Sequence, residues 1–371
     1  MKDHKQRYSL FLLLMAISIF ACQGQKTDWK GTITVENGVT IVRNPKVPMY
    51  GEDALVLEED LSIGETATPE DCLFSRIRSI TVDDAGNIYV LDSKENHILV
   101  FDKAGNHLRT FGRAGQGPGE FVSPLTLGLT NRDEIVIEDY INRLIYFSTQ
   151  GKHIRDLPIA KAGVRRVSLD SRGDILGLVI VRDKDSPRYE LQKFDPALNL
   201  IQILDSAPTP SASRKGFNPF MGSIYYTFDK DDRVVCGISD QYGIKIFDST
   251  GSLVQKITRD YDPVEITEQE KNEVEKEMPP GIKLAIPKYH SAFQWIMTDD
   301  EGRIFVMTEE PAPGGRGYYH DVFDAEGRYL AKIPLAFRPH LIKKNKFYTV
   351  AEDENGFHVV KRYRADWKIG E

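Results

Sequence analysis

A chain of 371 residues with 41% hydrophobic and 28% charged side chains can bury a substantial core, which excludes disordered and collagen-like classes. Its formal charge of −7, with no dense Lys/Arg stripe interleaved with aromatics, argues against a nucleic-acid partner. Length alone suggests two or three domains, but all-β folds run longer as one unit, so internal repeats have to decide.

Lys2, Lys5 and Arg7 precede an apolar run from Leu10 to Ala21, the charged and hydrophobic regions of a secretory signal. The run is too short to span a bilayer comfortably. It ends in Ile19-Phe20-Ala21-Cys22, which resembles a bacterial lipobox, where a small residue precedes a cysteine that receives diacylglycerol. Phe20 departs from the small or β-branched residue usual there; ordinary signal-peptidase cleavage or an uncleaved anchor are the alternatives. The expectation is a signal peptide over residues 1–21, a lipidated Cys22, a tether with lead-in strands over 22–53, and a protein exported to the cell envelope, in the periplasm or on the outer membrane. Cys72 and Cys236 then remain, expected in different repeats as two free thiols, with a structural disulfide as the competing reading.

From Ser79 to Gly112 the chain reads as four short alternating strands, each followed by Asp, Asn or Gly. A turn followed by a strand recurs at Arg132–Ile137, Ser171–Leu176, Lys230–Val235, Asp300–Val306 and, more weakly, Lys343–Tyr348. The strand after it closes on Phe101, Phe147, Phe194, Phe247, Phe323 and Tyr363. The first of these aromatics are spaced by roughly 46 residues, the length of a four-stranded propeller blade. Six copies predict an all-β, six-bladed β-propeller of four-stranded antiparallel blades over residues 54–371. Because one twisted sheet cannot bury both faces, the copies are expected to stack around an axis. The sixth copy lacks a clear fourth strand after Tyr363, and Ala54–Glu58 is expected to supply it and close the ring.

Between the fourth and fifth copies an insertion spans about residues 262–290. Thr267 with Glu270 fits a capping box and Pro279-Pro280 a stop, which predicts one short acidic helix. Val274 and Met278 can share a face and dock it on the rim, either as a lid or as a solvated decoration. The glycines from Gly115 to Gly119 are read as a turn between blades, with Phe121 as a plug. No Lys-Ser/Thr follows them to make a phosphate loop.

The segment Asp83-Asp84-Ala85-Gly86-Asn87-Ile88-Tyr89-Val90-Leu91-Asp92, followed by Asn96-His97-Ile98 and Phe101-Asp102, resembles the NHL-type repeat. The chain from about Ala54 to Trp367 is similar to six-bladed propeller lipoproteins of Bacteroidetes-type bacteria. The resemblance speaks for the fold; it leaves activity open, since function on such scaffolds sits in the loops.

Inner strands line a propeller's channel, and counting back from the turns places Arg76, Arg78, Arg165, Arg166, Tyr225, Trp295, Arg338 and His340 at or near their starts. Arginines with aromatics favour an anionic or sugar-like ligand; the alternative is that these arginines pair with blade-turn aspartates. The histidines show no metal-ligand spacing, and only His340 is expected to approach the axis. No cofactor is identified, although a divalent cation such as calcium on channel carbonyls would leave no sequence trace. With no recognisable nucleophile, acid pair or metal set, the leading expectation is a membrane-tethered module that binds a small molecule, a glycan or an envelope protein. A divalent-metal hydrolase or lyase acting in the channel and a structural subunit of an envelope complex are the rivals.

Overall fold

The computed structural model describes residues 28–64, 73–183, 187–209, 216–279 and 281–369. The expected signal peptide, Cys22 and Cys72 lie outside the described residues.

The repeated Asp-x-x-Gly-polar motif builds the tight turns. In the turn opened by Asp83, its carboxylate accepts from the Asn87 backbone N–H and side-chain amide, both at 2.8 Å. Asp229, Asp299 and Asp324 likewise take the backbone N–H and the Nε–H of Arg233, Arg303 and Arg328, at 2.6–2.9 Å. Each carboxylate thus satisfies donors that the reversal leaves outside the ladder, which is why the aspartate recurs at these turns; in blade two the hydroxyls of Thr130 and Ser148 take its place.

These turns join strands into six sheets. The N-terminal strands are β1 (Thr32–Glu36), β2 (Val39–Asn44) and β3 (Leu55–Ile63). Blade one holds β4 to β7 (Ile77–Val82, Ile88–Asp92, His97–Phe101, His107–Phe111), and blade two β8 to β11 (Pro124–Leu129, Glu134–Asp139, Arg143–Ser148, His153–Pro158). Blade three holds β12 to β15 (Val164–Leu169, Ile175–Val181, Arg188–Phe194, Leu200–Pro208), and blade four β16 to β19 (Ile224–Phe228, Val234–Ile238, Gly243–Phe247, Leu253–Arg259). Blade five holds β20 to β23 (Trp295–Thr298, Ile304–Pro311, Tyr318–Phe323, Tyr329–Leu335). Blade six holds β24 to β26 (Leu341–Lys343, Lys346–Glu352, His358–Trp367) and takes β3 as its fourth strand, antiparallel to β26 from Ile63 opposite Val360 to Leu55 opposite Trp367.

Blade four departs from the expected four strands. β2 runs parallel to β19, and β1 pairs antiparallel with β2, so this sheet has six. The side chain of Asn44, nearly fully buried, explains the placement. Its amide donates to the Thr258 and Gly327 carbonyls, and its oxygen accepts from the Tyr329 N–H at 2.7 Å, which ties β2 to blades four and five together. The chain then bridges from Tyr50 to Ala331 on blade five before reaching β3.

Among the described residues the core divides into six apolar clusters, one in each gap between neighbouring blades. Radial stacking of this kind is what lets short, strongly twisted sheets bury both faces. Cys236 sits in the gap between blades three and four as a free, buried thiol whose pKa burial pushes up. Phe121 is fully buried, edge-on to Phe147 at 5.8 Å, as the plug reading expects. A buried polar knot joins blades four and five: the hydroxyls of Tyr242 and Tyr329 donate to Asp321 at 2.6 and 2.5 Å, with Arg259 at 3.0 Å.

The single α-helix of the described residues, α1 (Glu268–Glu277), lies between β19 and β20, the last strand of blade four and the first of blade five, and carries the expected Thr267/Glu270 capping box. None of its residues is buried, and Val274 and Met278 are only half-covered.

Candidate functional site at the channel mouth

The first strands of the blades form the inner ring: β4, β8, β12, β16 and β20 touch in succession, and β24 touches β4. Their N-terminal ends share one end of the ring with the turns between second and third strands, because those strands alternate in direction. Acidic groups at that end anchor the incoming chain: Asp92 accepts from the Ser75 and Arg76 N–H groups, and Asp139 from those of Val122 and Ser123. The eight residues singled out from sequence lie on or next to first strands, at or near this mouth.

Four of them meet. The Tyr225 ring on β16 lies 5.9 Å from that of Trp295 at the start of β20, and the Arg338 guanidinium stacks 4.9 Å from the Trp295 ring centre. Trp295 is 38% exposed, so its ring is open to a visitor. Burial raises the Tyr225 pKa, the charge of Glu309 adds to that, and the guanidiniums of Arg166 and Arg338 oppose it, so three charges act on one hydroxyl.

Arg165 and Arg166 sit on a bulge in β12, with Arg166 at φ +53°. A non-glycine residue is held in that region by its surroundings. Here the holder is Glu138 on β9, almost fully buried, whose two carboxylate oxygens accept from the Arg166 and Val167 N–H groups at 2.9 and 2.8 Å. Burial raises the Glu138 pKa, and the two backbone donors work against that rise. Beneath the bulge is a small cavity of about 120 Å³ lined by Thr126, Gly128, Glu138, Val167 and Ser168.

His340 occupies a second, open cleft of about 490 Å³ with Ile77, Val350, Ala351, Glu352 and His358, between blades six and one. Burial pushes its pKa down to about 4, with the nearby Arg338 and His358 contributing, and its Nδ1 has no hydrogen-bond partner. His358 accepts the Ile77 N–H at Nδ1, so its other nitrogen carries the proton and faces Glu352 at 3.9 Å. Arg76 and Arg78 flank Ile77 and are exposed.

The pairing alternative is answered by the turns. The blade-turn aspartates Asp170, Asp229, Asp299 and Asp324 pair with Arg172, Arg233, Arg303 and Arg328, whereas Arg76, Arg78, Arg165, Arg166 and Arg338 form no ion pair among the described residues. Sequence reasoning missed Glu138, Glu309, His290 and His358. These are brought to the mouth by contacts between distant segments, and no local motif marks them. Glu309, on β21, accepts from Ser291 at 3.1 Å and Gln294 at 2.8 Å, and burial raises its pKa.

Among the described residues no group of three or more His, Cys, Asp or Glu side chains is placed to hold a metal ion, and no helix is long and apolar enough to cross a membrane.

No curated protein matches the sequence. Among solved structures, a Bacteroides fragilis protein provisionally described as exported is similar in fold, with a TM-score of 0.57 and 13% identity, over 88% of this chain and 99% of that one. A duf4221 family member from Bacteroides vulgatus has a TM-score of 0.50 and 12% identity, over 85% of this chain and 99% of that one. Virginiamycin B lyase from Staphylococcus aureus stands further off, with a TM-score of 0.45 and 12% identity, over 83% of this chain and 99% of that one. The family model DUF5128, described as a 6-bladed β-propeller, matches residues 65–171, and with the six sheets described above this makes the chain a six-bladed β-propeller.

Proposed function

We propose that this chain is an exported, lipid-anchored binding module that holds an anionic, sugar-like ligand at the channel mouth. One observation carries the reading: in a chain of net charge −7, five exposed arginines without ion pairs gather at one end of the ring, beside an open Tyr225–Trp295 pair. Unpaired guanidiniums leave their forked donors available to carboxylate or sulfate groups, and an indole face stacks on a sugar ring. Arg338 belongs to both halves, since it lies on Trp295 while its outer edge remains exposed. The resemblance of Asp83–Asp102 to the NHL-type repeat and the lipobox-like Ala21-Cys22 support the tethered-module part of the reading.

The test is binding of purified mature protein to an array of uronate-bearing, sulfated and neutral oligosaccharides. Acidic members are expected to bind, and Trp295→Ala and Arg338→Ala each to weaken that binding about tenfold or more, equivalent to about 1.4 kcal/mol. Equal affinity for neutral and acidic members, or binding indifferent to both substitutions, would refute the proposal. So would metal-dependent turnover of lactone or glycoside substrates at the same mouth.

A further inference from the structure

The insertion that carries α1 leaves and rejoins the ring through a short antiparallel closure. Glu265 bridges Tyr289, the Ile266 N–H donates to the Lys288 carbonyl, and the His290 N–H donates to the Val264 carbonyl. Beyond that base the lobe has little apolar hold, since no residue of α1 is buried. The segment after the helix is held by backbone hydrogen bonds of Phe217 to Lys283 and Ala285, and the helix itself is tied by the His290 imidazole. His290, with 11% of its side chain exposed, sets Nε2 3.1 Å from Glu270 Oε1 in the first turn of α1 and Nδ1 3.8 Å from Glu309 Oε2 on β21. Phe220, from the neighbouring loop ahead of β16, closes edge-on against the ring at 5.3 Å. The charge of Glu309 also reaches the Tyr225 hydroxyl, where those of Arg166 and Arg338 act against it.

We infer that His290 is the pin of a charge-controlled latch, fastening the α1 lobe to the ligand mouth when its imidazolium bridges Glu270 and Glu309. As regulation of that mouth, the latch rests on the binding reading above. A cation between two carboxylates draws both inward; a neutral imidazole keeps one hydrogen bond and leaves the other carboxylate facing it without a proton. The charged and titratable groups around the ring are few. α1 presents Glu270, β21 presents Glu309, and the loop ahead of β16 presents only the Phe220 ring; along its own segment, Lys288 is engaged with Glu265 at 3.0 Å. Burial raises the Glu309 pKa, and the nearby His290 opposes that rise, as a bridging cation should. An anionic ligand seated on Arg338 would add its charge beside Glu309 and draw the imidazolium toward the mouth, so ligand and lobe position are coupled.

Hydrogen exchange of the full mature protein reads the latch directly. In the wild type the α1 amides are expected to be protected about tenfold more at pH 5.5 than at pH 8, after correction for intrinsic exchange. His290→Gln and Glu270→Gln should each abolish that difference. Glu270→Gln is the safer variant, because glutamine at the third helical position still serves the capping box and only the charge is lost. Protection of α1 that is identical at the two pH values in the wild type, or a pH difference that survives both substitutions, would overturn the latch. Adding polygalacturonate oligomers separates the two proposals. Binding without added α1 protection removes the coupling and leaves the mouth reading standing, whereas a pH-responsive latch with no oligomer binding removes the mouth reading and leaves the pin.

Discussion

His320 on β22 is almost fully buried; its Nδ1 lies 3.1 Å from the Tyr318 carbonyl, and its Nε2 has no partner. The carbonyl can only accept, so Nδ1 carries the proton and the neutral ring leaves a bare lone pair inside the blade. Adding a second proton would create a buried cation facing nothing, and burial accordingly pushes the pKa down to about 4. An unfolded histidine titrates near about 6.5. Between those values the unfolded chain binds a proton that the folded chain refuses, so stability is complete above the upper value and falls as pH drops toward the lower one. A fully buried group shifted this far accounts for about 3 kcal/mol, and His340, also held near about 4 but half-open to its cleft, adds less in the same direction. Urea titrations at pH 7 and pH 4.5 should therefore show a loss of stability that shrinks markedly in His320→Gln. Parallel pH profiles for variant and wild type would show that the ring titrates normally. Nothing in the sequence around His320 signals this, because its burial comes from strands on either side that local patterning cannot see.

At the level of single elements, the turns were the most legible part of the chain and the bulges the least. The Asp-x-x-Gly-polar spacing names its own hydrogen bonds, so every strand end that uses it could be placed from residues alone. The bulge at Arg166 depends on Glu138 from another blade and has no local signature. Two glycines in these turns separate backbone strain from packing. Gly356, at φ +81°, has open space where a Cβ would stand; Gly327, at φ +83°, would set its Cβ 2.8 Å from the Ile257 side chain and from Gln255 in blade four. Alanine at Gly356 should cost only the left-handed backbone, about 1 kcal/mol. At Gly327 the same strain is joined by overpacking against a fully buried isoleucine, expected to add about 1–3 kcal/mol. Thermal or urea unfolding of the two variants checks the ordering. Equal costs would mean that the turn of blade five does not press on blade four.

For the molecule as a whole, the repeat count predicted the ring, and the missing strand of the sixth copy predicted where it closes. What no repeat could show is the path by which the N-terminal segment reaches that gap. It adds two strands to blade four, is held by Asn44 against blade five, and only then enters blade six, a route set by pairings more than two hundred residues apart in sequence. Closure in this form makes the whole ring depend on β3. Its Asp60 holds Arg362 at 2.6 Å and Lys346 at 2.9 Å, and its Ile63 belongs to the cluster between blades six and one. Removing residues 1–64 would leave β26 with an unpaired edge and open the apolar gap beside it, and blades held only by neighbours lose cooperativity once the circle is broken. The truncated chain is expected to bind a hydrophobic dye, to lose its near-ultraviolet dichroism, and to unfold over a broadened urea range. A synthetic peptide spanning residues 28–64 should restore the sharp transition by re-forming the β19 and β26 pairings in trans. If the truncated chain unfolds with unchanged midpoint and steepness, the six blades hold together without β1, β2 and their closing strand, and the stacking of apolar faces alone accounts for the ring.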